Sequence, residues 1–115
     1  MSVILENVQA PQSGHLEIEI KLTADVRVSS FVAKQKVNYF LATEVGNLLH
    51  AGEPALTVAD KIYWRVPVLF SLPSAGQLGQ VGQVDVDVET GEVKTEPALV
   101  ERISHNATQL ANTPL

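Results

Sequence analysis

The chain has 115 residues, of which 45% are hydrophobic, and this composition suits one domain with one core and excludes a disordered tail. It carries 13 acidic and 8 basic residues, a net charge of −5, so we expect no binding to nucleic acid. The absence of cysteine excludes disulfides, thiolate metal sites and a cysteine nucleophile. No basic region with a long apolar run begins the chain, and no stretch has the length of a membrane span, so we expect no membrane association and a cytoplasmic location.

Residues 16–28 carry the clearest strand pattern, because apolar and polar residues alternate without a break. The apolar side comprises Leu16, Ile18, Ile20, Leu22, Ala24, Val26 and Val28. A strand of 13 residues would extend roughly 40 Å, so we expect a bend near residues 23–25. The length also favours pairing with another subunit.

Residues 31–50 have apolar residues at helical spacing and predict the main helix. Ser29 and Ser30 are suitable N-caps, and Gly52 is the expected C-cap, with His50 in the last turn. Residues 55–58 then predict a short strand that turns at Ala59 and Asp60.

Residues 62–93 predict two strands, a glycine-rich connection and a closing turn. Residues 62–72 place their even-numbered apolar members, including Trp64, on one face, and residues 83–89 alternate in the same way. Matching apolar faces sets Val66 opposite Val86, Val68 opposite Val84 and Arg65 opposite Asp87. Pro67 has no N–H for a ladder, so we expect its nitrogen to point to an edge, a bulge or solvent. We interpret the triplets of residues 76–84, each beginning Gly-Gln, as a flexible connection that is bulged at Gly82.

Thr95 is the predicted cap of a second helix that has Pro97 in its first turn. Its apolar stripe comprises Leu99, Val100, Ile103, Ala107 and Leu110. The sequence therefore predicts a single α+β domain over residues 1–115, with an antiparallel sheet of four to five strands and two helices packed on one face.

Residues 55–93 resemble a PepSY-type or cystatin-like unit, in which a helix leads into an antiparallel meander that ends in a V-D-x-x-T-G-x-V turn. That turn is formed here by Val86, Asp87, Glu89, Thr90, Gly91, Glu92 and Val93, and the preceding strand contains YWRVPV. The resemblance implies a binding or inhibitory module. Physically, the turn needs a positive φ at Gly91 and hydrogen bonds from its backbone to Asp87 or Thr90.

Four residues form the predicted binding site: Tyr63 and Arg65 on one strand, and Asp85 and Asp87 on the next. Tyr63 and Arg65 should face away from the core beside the acidic strand, a composition that interfaces favour. The alternative is a purely structural cross-strand set. Asp85, Asp87 and Glu89 invite a calcium site, but Thr90 stands where the loop demands glycine, so we expect no metal and no cofactor.

No group of residues indicates catalysis, because the three histidines fall in separate predicted elements and no serine or threonine lies in a nucleophile elbow. The leading hypothesis is a non-enzymatic binding or regulatory module that acts as a homo-oligomer or with another protein. The alternatives are a small-ligand carrier or enzyme with a pocket between sheet and helices, and a subunit that is stable only with another protein.

Overall fold

The computed structural model describes residues 3–6, 13–19 and 21–112. Five strands form one mixed sheet, and two helices pack on it. The elements in chain order are β1 (Val3–Leu5), α1 (Ser30–Glu44), β2 (Leu49–Ala51), β3 (Ala55–Val58), β4 (Ile62–Leu72), β5 (Gly76–Asp87) and α2 (Pro97–Ala111). The α+β class is therefore confirmed.

The long strand β4 organises the sheet, because β5 pairs along one side of it and β3 and β2 share the other. These pairings are antiparallel, but β1 joins the outer side of β3 in parallel, so the sheet is mixed rather than purely antiparallel. Pro67 lies between the part of β4 that pairs with β3 and the part that pairs with β2. Its carbonyl accepts a hydrogen bond from Gly52 N at 2.8 Å. Because the nitrogen and the carbonyl of one residue point to the same side of a strand, the Pro67 nitrogen faces this gap, where no ladder of the described strands requires a donor.

The even-numbered residues of β4 and of the last part of β5 form the core with one side of each helix, and Val81 joins them at a register shift. Trp64, Val66, Val68, Val84 and Val86 pack there. Ala33, Val37, Phe40 and Leu41 are the buried residues of α1, and Leu99 and Ile103 are those of α2. The predicted core face is thus confirmed, and the opposite sheet face carries both polar side chains and the apolar Pro67 and Leu69.

The β4–β5 register differs by two residues from the sequence prediction. Val66 lies opposite Val84 rather than Val86, and Arg65 lies opposite Asp85 rather than Asp87. The Gly-Gln triplets are the reason: they form the first part of β5 instead of a flexible connection. The turn is consequently tight, with Leu72 opposite Gly76. Each of two register shifts then adds a residue to β5, one of them beside Gly82 as expected.

Three other predictions about the elements are wrong. The helix α1 begins at the Ser29 cap but ends at Glu44, where the amides of Val45 and Gly46 both donate to Leu41 O. His50 therefore lies in β2, and Gly52 does not cap a helix. Thr95 does not cap α2, whose N-cap is Glu96 with no side-chain hydrogen bond.

The largest difference concerns residues 16–28, which form no strand over their described positions, 16–19 and 21–28. The alternation of a strand specifies two faces but no pairing partner. The sheet also offers little regular free edge, because β1 and β2 have three residues each and β5 carries the two register shifts. The last part of β5 is already covered, since Val93 bridges to Val86 and Lys94 N donates to Asp85 O.

Candidate functional site

The four predicted site residues lie together on the sheet face opposite the helices. The antiparallel register brings Tyr63 beside Asp87 and Arg65 beside Asp85. We call these four residues, together with Glu6, Asp60, Lys61 and Lys94 around them, the polar cluster. It differs from a solvent-exposed patch, because Tyr63 is 3% exposed and the Asp87 side chain 7%.

Arg65 is the centre of the polar cluster. Its Nε donates to Asp85 Oδ1 at 2.9 Å and its second terminal nitrogen to Asp85 Oδ2 at 3.0 Å. A third contact is the ion pair with Glu6, the residue that follows β1. These hydrogen bonds, foremost those that Arg65 donates to Asp85, raise the pKa of Arg65 above its ordinary value. Both carboxylates are therefore neutralised from within the fold.

Asp87 holds the closing turn. One of its carboxylate oxygens accepts hydrogen bonds from Glu89 N at 2.8 Å and Thr90 N at 3.1 Å. These backbone donors, Glu89 first, hold the pKa of Asp87 below its ordinary value. Gly91 has φ 75°, and the hydroxyl of Thr90 accepts from Glu92 N at 3.1 Å. The predicted turn chemistry is confirmed in both details.

Tyr63 is enclosed by charged groups. Its hydroxyl donates to Asp60 at 3.0 Å, and this hydrogen bond lowers the pKa of the Asp60 carboxyl. Lys94 Nζ lies 5.1 Å from the centroid of the Tyr63 ring, and its interaction with Tyr63 raises the pKa of the lysine. A cleft of about 250 Å³ beside Tyr63 is lined by acidic residues and by Lys94 and Arg102. Within the described residues, no group of three or more acidic or histidine side chains is arranged to hold a metal ion.

A second feature is the segment that precedes α1, in which residues 13–24 form what we call the arm. Its described residues, 13–19 and 21–24, make no backbone hydrogen bond to another described segment. Among the described residues, the hydrogen bonds that fix this segment to the body belong to residues 25–28, which directly follow the arm and form its base. Asp25 N donates to Glu89 Oε1 at 3.0 Å, Arg27 N and Val28 N donate to Val88 O, and Trp64 Nε1 donates to Val28 O at 2.7 Å.

The arm exposes the apolar side chains that its alternating pattern would bury in a sheet. Leu16 and Leu22 are each 49% exposed and Ile18 is 43% exposed. Of the described arm residues, Ala24, which is next to the base, is the one that packs against the core. The strand that the alternation predicts is therefore absent from the described residues of this segment. Ile20 lies outside them.

A third feature was not predicted from the sequence. The helix α1 is apolar on both sides, since Phe31, Val32 and Tyr39 are exposed opposite its buried residues. A groove of about 500 Å³, which we call the α1 groove, is lined by Val32, Lys36, Tyr39, Phe40, Thr43 and Val93, among others. The spacing of Val32, Lys36, Tyr39 and Thr43 along one side of a helix is the signal that would have indicated it.

Comparison with protein-family models, with curated proteins and with solved structures finds no match to this chain. The resemblance to a PepSY-type or cystatin-like unit stays a prediction. Among the described residues, neither of the two helices is long and apolar enough to cross a membrane.

Proposed function

We propose that the protein is a non-enzymatic binding module that acts as a homo-oligomer, with the arm as its binding element. The observation that carries the proposal is the exposure of Leu16, Ile18 and Leu22 on a segment with the alternation of a half-buried strand. A segment of this kind gains from strand pairing, because its backbone groups and its apolar side are both satisfied by a partner.

The exposed apolar side chains of the arm and its fixed base both favour association. Each leucine or isoleucine side chain that moves from water into an apolar contact contributes about 1.5–3 kcal/mol when burial is complete. The base of the arm is already positioned by the four hydrogen bonds of Asp25, Arg27 and Val28. A fixed base lowers the entropic cost of ordering the rest on binding.

The contacts within the polar cluster support a structural role more than a binding role. Arg65 and Asp85 satisfy each other, and Asp87 holds a turn. A cluster whose charges are paired internally has less to gain from a charged partner. The proposal therefore rests on the arm, and the binding role of the polar cluster stays a prediction.

The test is the solution mass, measured by light scattering at several protein concentrations. We expect the wild type to reach at least twice the 12.4 kDa of one chain. Leu22→Asn should return it to 12.4 kDa, whereas the adjacent Thr23→Asn, on the other side of the arm, should not. A monomeric wild type at every concentration, or equal masses for the two variants, would contradict the proposal.

The second candidate function is the binding of a small apolar molecule in the α1 groove. Its support is the apolar lining, with Tyr39 73% exposed at the rim, since ligand sites are concave and largely apolar. The test is titration with an apolar fluorescent dye. Tyr39→Ser should weaken dye binding, and Phe31→Ser, an exposed aromatic control on α1 that does not line the groove, should leave it unchanged.

A further inference from the structure

We propose that the arms of two copies pair as antiparallel strands about a two-fold axis at residue 20. This inference rests on the proposed function and adds its geometry. In this register residue 16 lies opposite residue 24 of the partner, residue 18 opposite residue 22, and residue 20 opposite its own copy. Ile20 lies outside the described residues and enters the register only through its place in the sequence.

The fixed base of the arm limits which residues can pair. Arg27 N and Val28 N both donate to Val88 O, and Val28 O accepts from Trp64. A ladder through Val28 would turn its N–H and C=O toward the partner and break both of its bonds, so the pairing strand ends before it. Residues 16–24 carry the apolar alternation that precedes this base, and a symmetric pairing of these residues has its centre at residue 20.

The charges of the arm select the same centre. In this register Glu19 lies opposite Lys21 of the partner, twice by symmetry, and Glu17 lies opposite Thr23. Opposite charges that face each other across strands stabilise the pair, and like charges destabilise it.

Neighbouring centres place like charges face to face. A centre at residue 19 or 21 sets Glu19 or Lys21 against its own copy, a centre at 18 sets Glu17 against Glu19, and a centre at 22 sets Glu19 against Asp25. A centre between two residues would set the apolar side of one arm against the polar side of the other. A centre at residue 23 is also free of like-charge pairs, but it would set Ile18 against Val28 and Leu16 against Ser30, which the fixed base and α1 already hold.

The hydrogen bonds follow from the bond that Asp25 already makes. In an antiparallel pair, alternate residue pairs exchange backbone hydrogen bonds. Asp25 N points toward the body, where it donates to Glu89 Oε1. Neighbouring N–H groups of an extended strand point to opposite sides, so those of the even-numbered residues point to the partner. The even-numbered pairs are therefore the ones that exchange hydrogen bonds. The apolar side of the resulting ribbon is then continuous with the core through Ala24 of each copy.

Disulfide trapping tests the register directly, since the chain contains no cysteine. Under mild oxidation Ile20→Cys should form a covalent dimer across the axis. Leu22→Cys and Thr23→Cys should remain uncoupled, because their own copies lie beyond the roughly 7 Å Cα separation that a disulfide allows. Preferential coupling at residue 22 or 23 would overturn the register. A dimeric mass without coupling of Ile20→Cys would overturn this inference alone, whereas a monomeric mass would overturn the proposed function.

Charge exchange provides an independent readout. Glu19→Lys should raise the dimer dissociation constant by about tenfold, because it creates two like-charge pairs. The double variant Glu19→Lys with Lys21→Glu should recover the wild-type constant to within about threefold. A double variant that dimerises as weakly as Glu19→Lys alone would contradict the register.

Discussion

Arg65→Met should destabilise the fold through two carboxylates that lose their partner. Arg65 is 14% exposed and Asp85 is 23% exposed, and two hydrogen bonds of 2.9 and 3.0 Å join them. Methionine fills a similar volume but leaves Asp85 and Glu6 close together without a counter-charge. Both then face a desolvation cost that nothing offsets.

The expected magnitude is smaller than that of a fully buried pair. Removal of one partner from a buried ion pair costs about 3–5 kcal/mol, and the partial exposure of both groups reduces this to about 2 kcal/mol. For a chain of this length, such a loss lowers the Tm by roughly 8 °C. Urea denaturation at neutral pH gives the free energy of unfolding directly.

A double-mutant cycle separates the Arg65–Asp85 pair from general damage. The coupling energy between Arg65→Met and Asp85→Asn should be about 1–2 kcal/mol. The matched cycle with Asp87→Asn should give less than about 0.5 kcal/mol, because Asp87 lies opposite Tyr63 rather than Arg65. A larger coupling with Asp87 than with Asp85 would refute the register on which this reasoning depends.

Three further predictions concern the packing of α2, the base of the arm and the turn at Asp87. Gly82→Ala should lower the free energy of unfolding by about 1–3 kcal/mol through overpacking, because the new Cβ would lie 2.9 Å from Ile103 Cγ1. Gly46→Ala is the control, since a Cβ at Gly46 meets nothing within 4 Å. Equal unfolding midpoints for the two variants would argue against this packing of α2. Trp64→Phe leaves Val28 O without its hydrogen bond and should cost about 1–3 kcal/mol, with faster amide exchange at Arg27 and Val28 as the specific readout. The pKa of Asp87 is lower in the folded protein than in the unfolded chain. The ionised carboxylate therefore stabilises the fold above the unfolded-state pKa, and this contribution is lost as the pH falls through the folded-state pKa. In urea titrations, the stability difference between wild type and Asp87→Asn should shrink from pH 6 to pH 3, and a constant difference would refute the linkage.

The parts of the fold that the sequence predicts depend on local signals. The cap at Ser29, the start of α1, the strand β3 and the turn of Asp87 and Gly91 each follow from residues within a few positions of one another. The face of β4 that carries Trp64 follows from period-2 alternation in the same way.

The parts that it does not predict depend on which segments meet. Alternation at residues 16–28 is as regular as in β4, yet only β4 has partners along its length. The register of β4 and β5 depends on the tight turn and two shifts, which the Gly-Gln triplets do not specify by themselves. The α1 groove depends on the position of Val93 beside a helix that lies far from it in sequence.

The central claim is that the arm becomes a strand when two copies meet. Amide hydrogen exchange of residues 16–24, followed in dilute and in concentrated protein, tests it most directly. We expect protection at even-numbered residues, such as Ile18 and Leu22, that grows with concentration, while Glu17 and Thr23 remain fast. Exchange that is fast at every arm residue and independent of concentration would contradict the account.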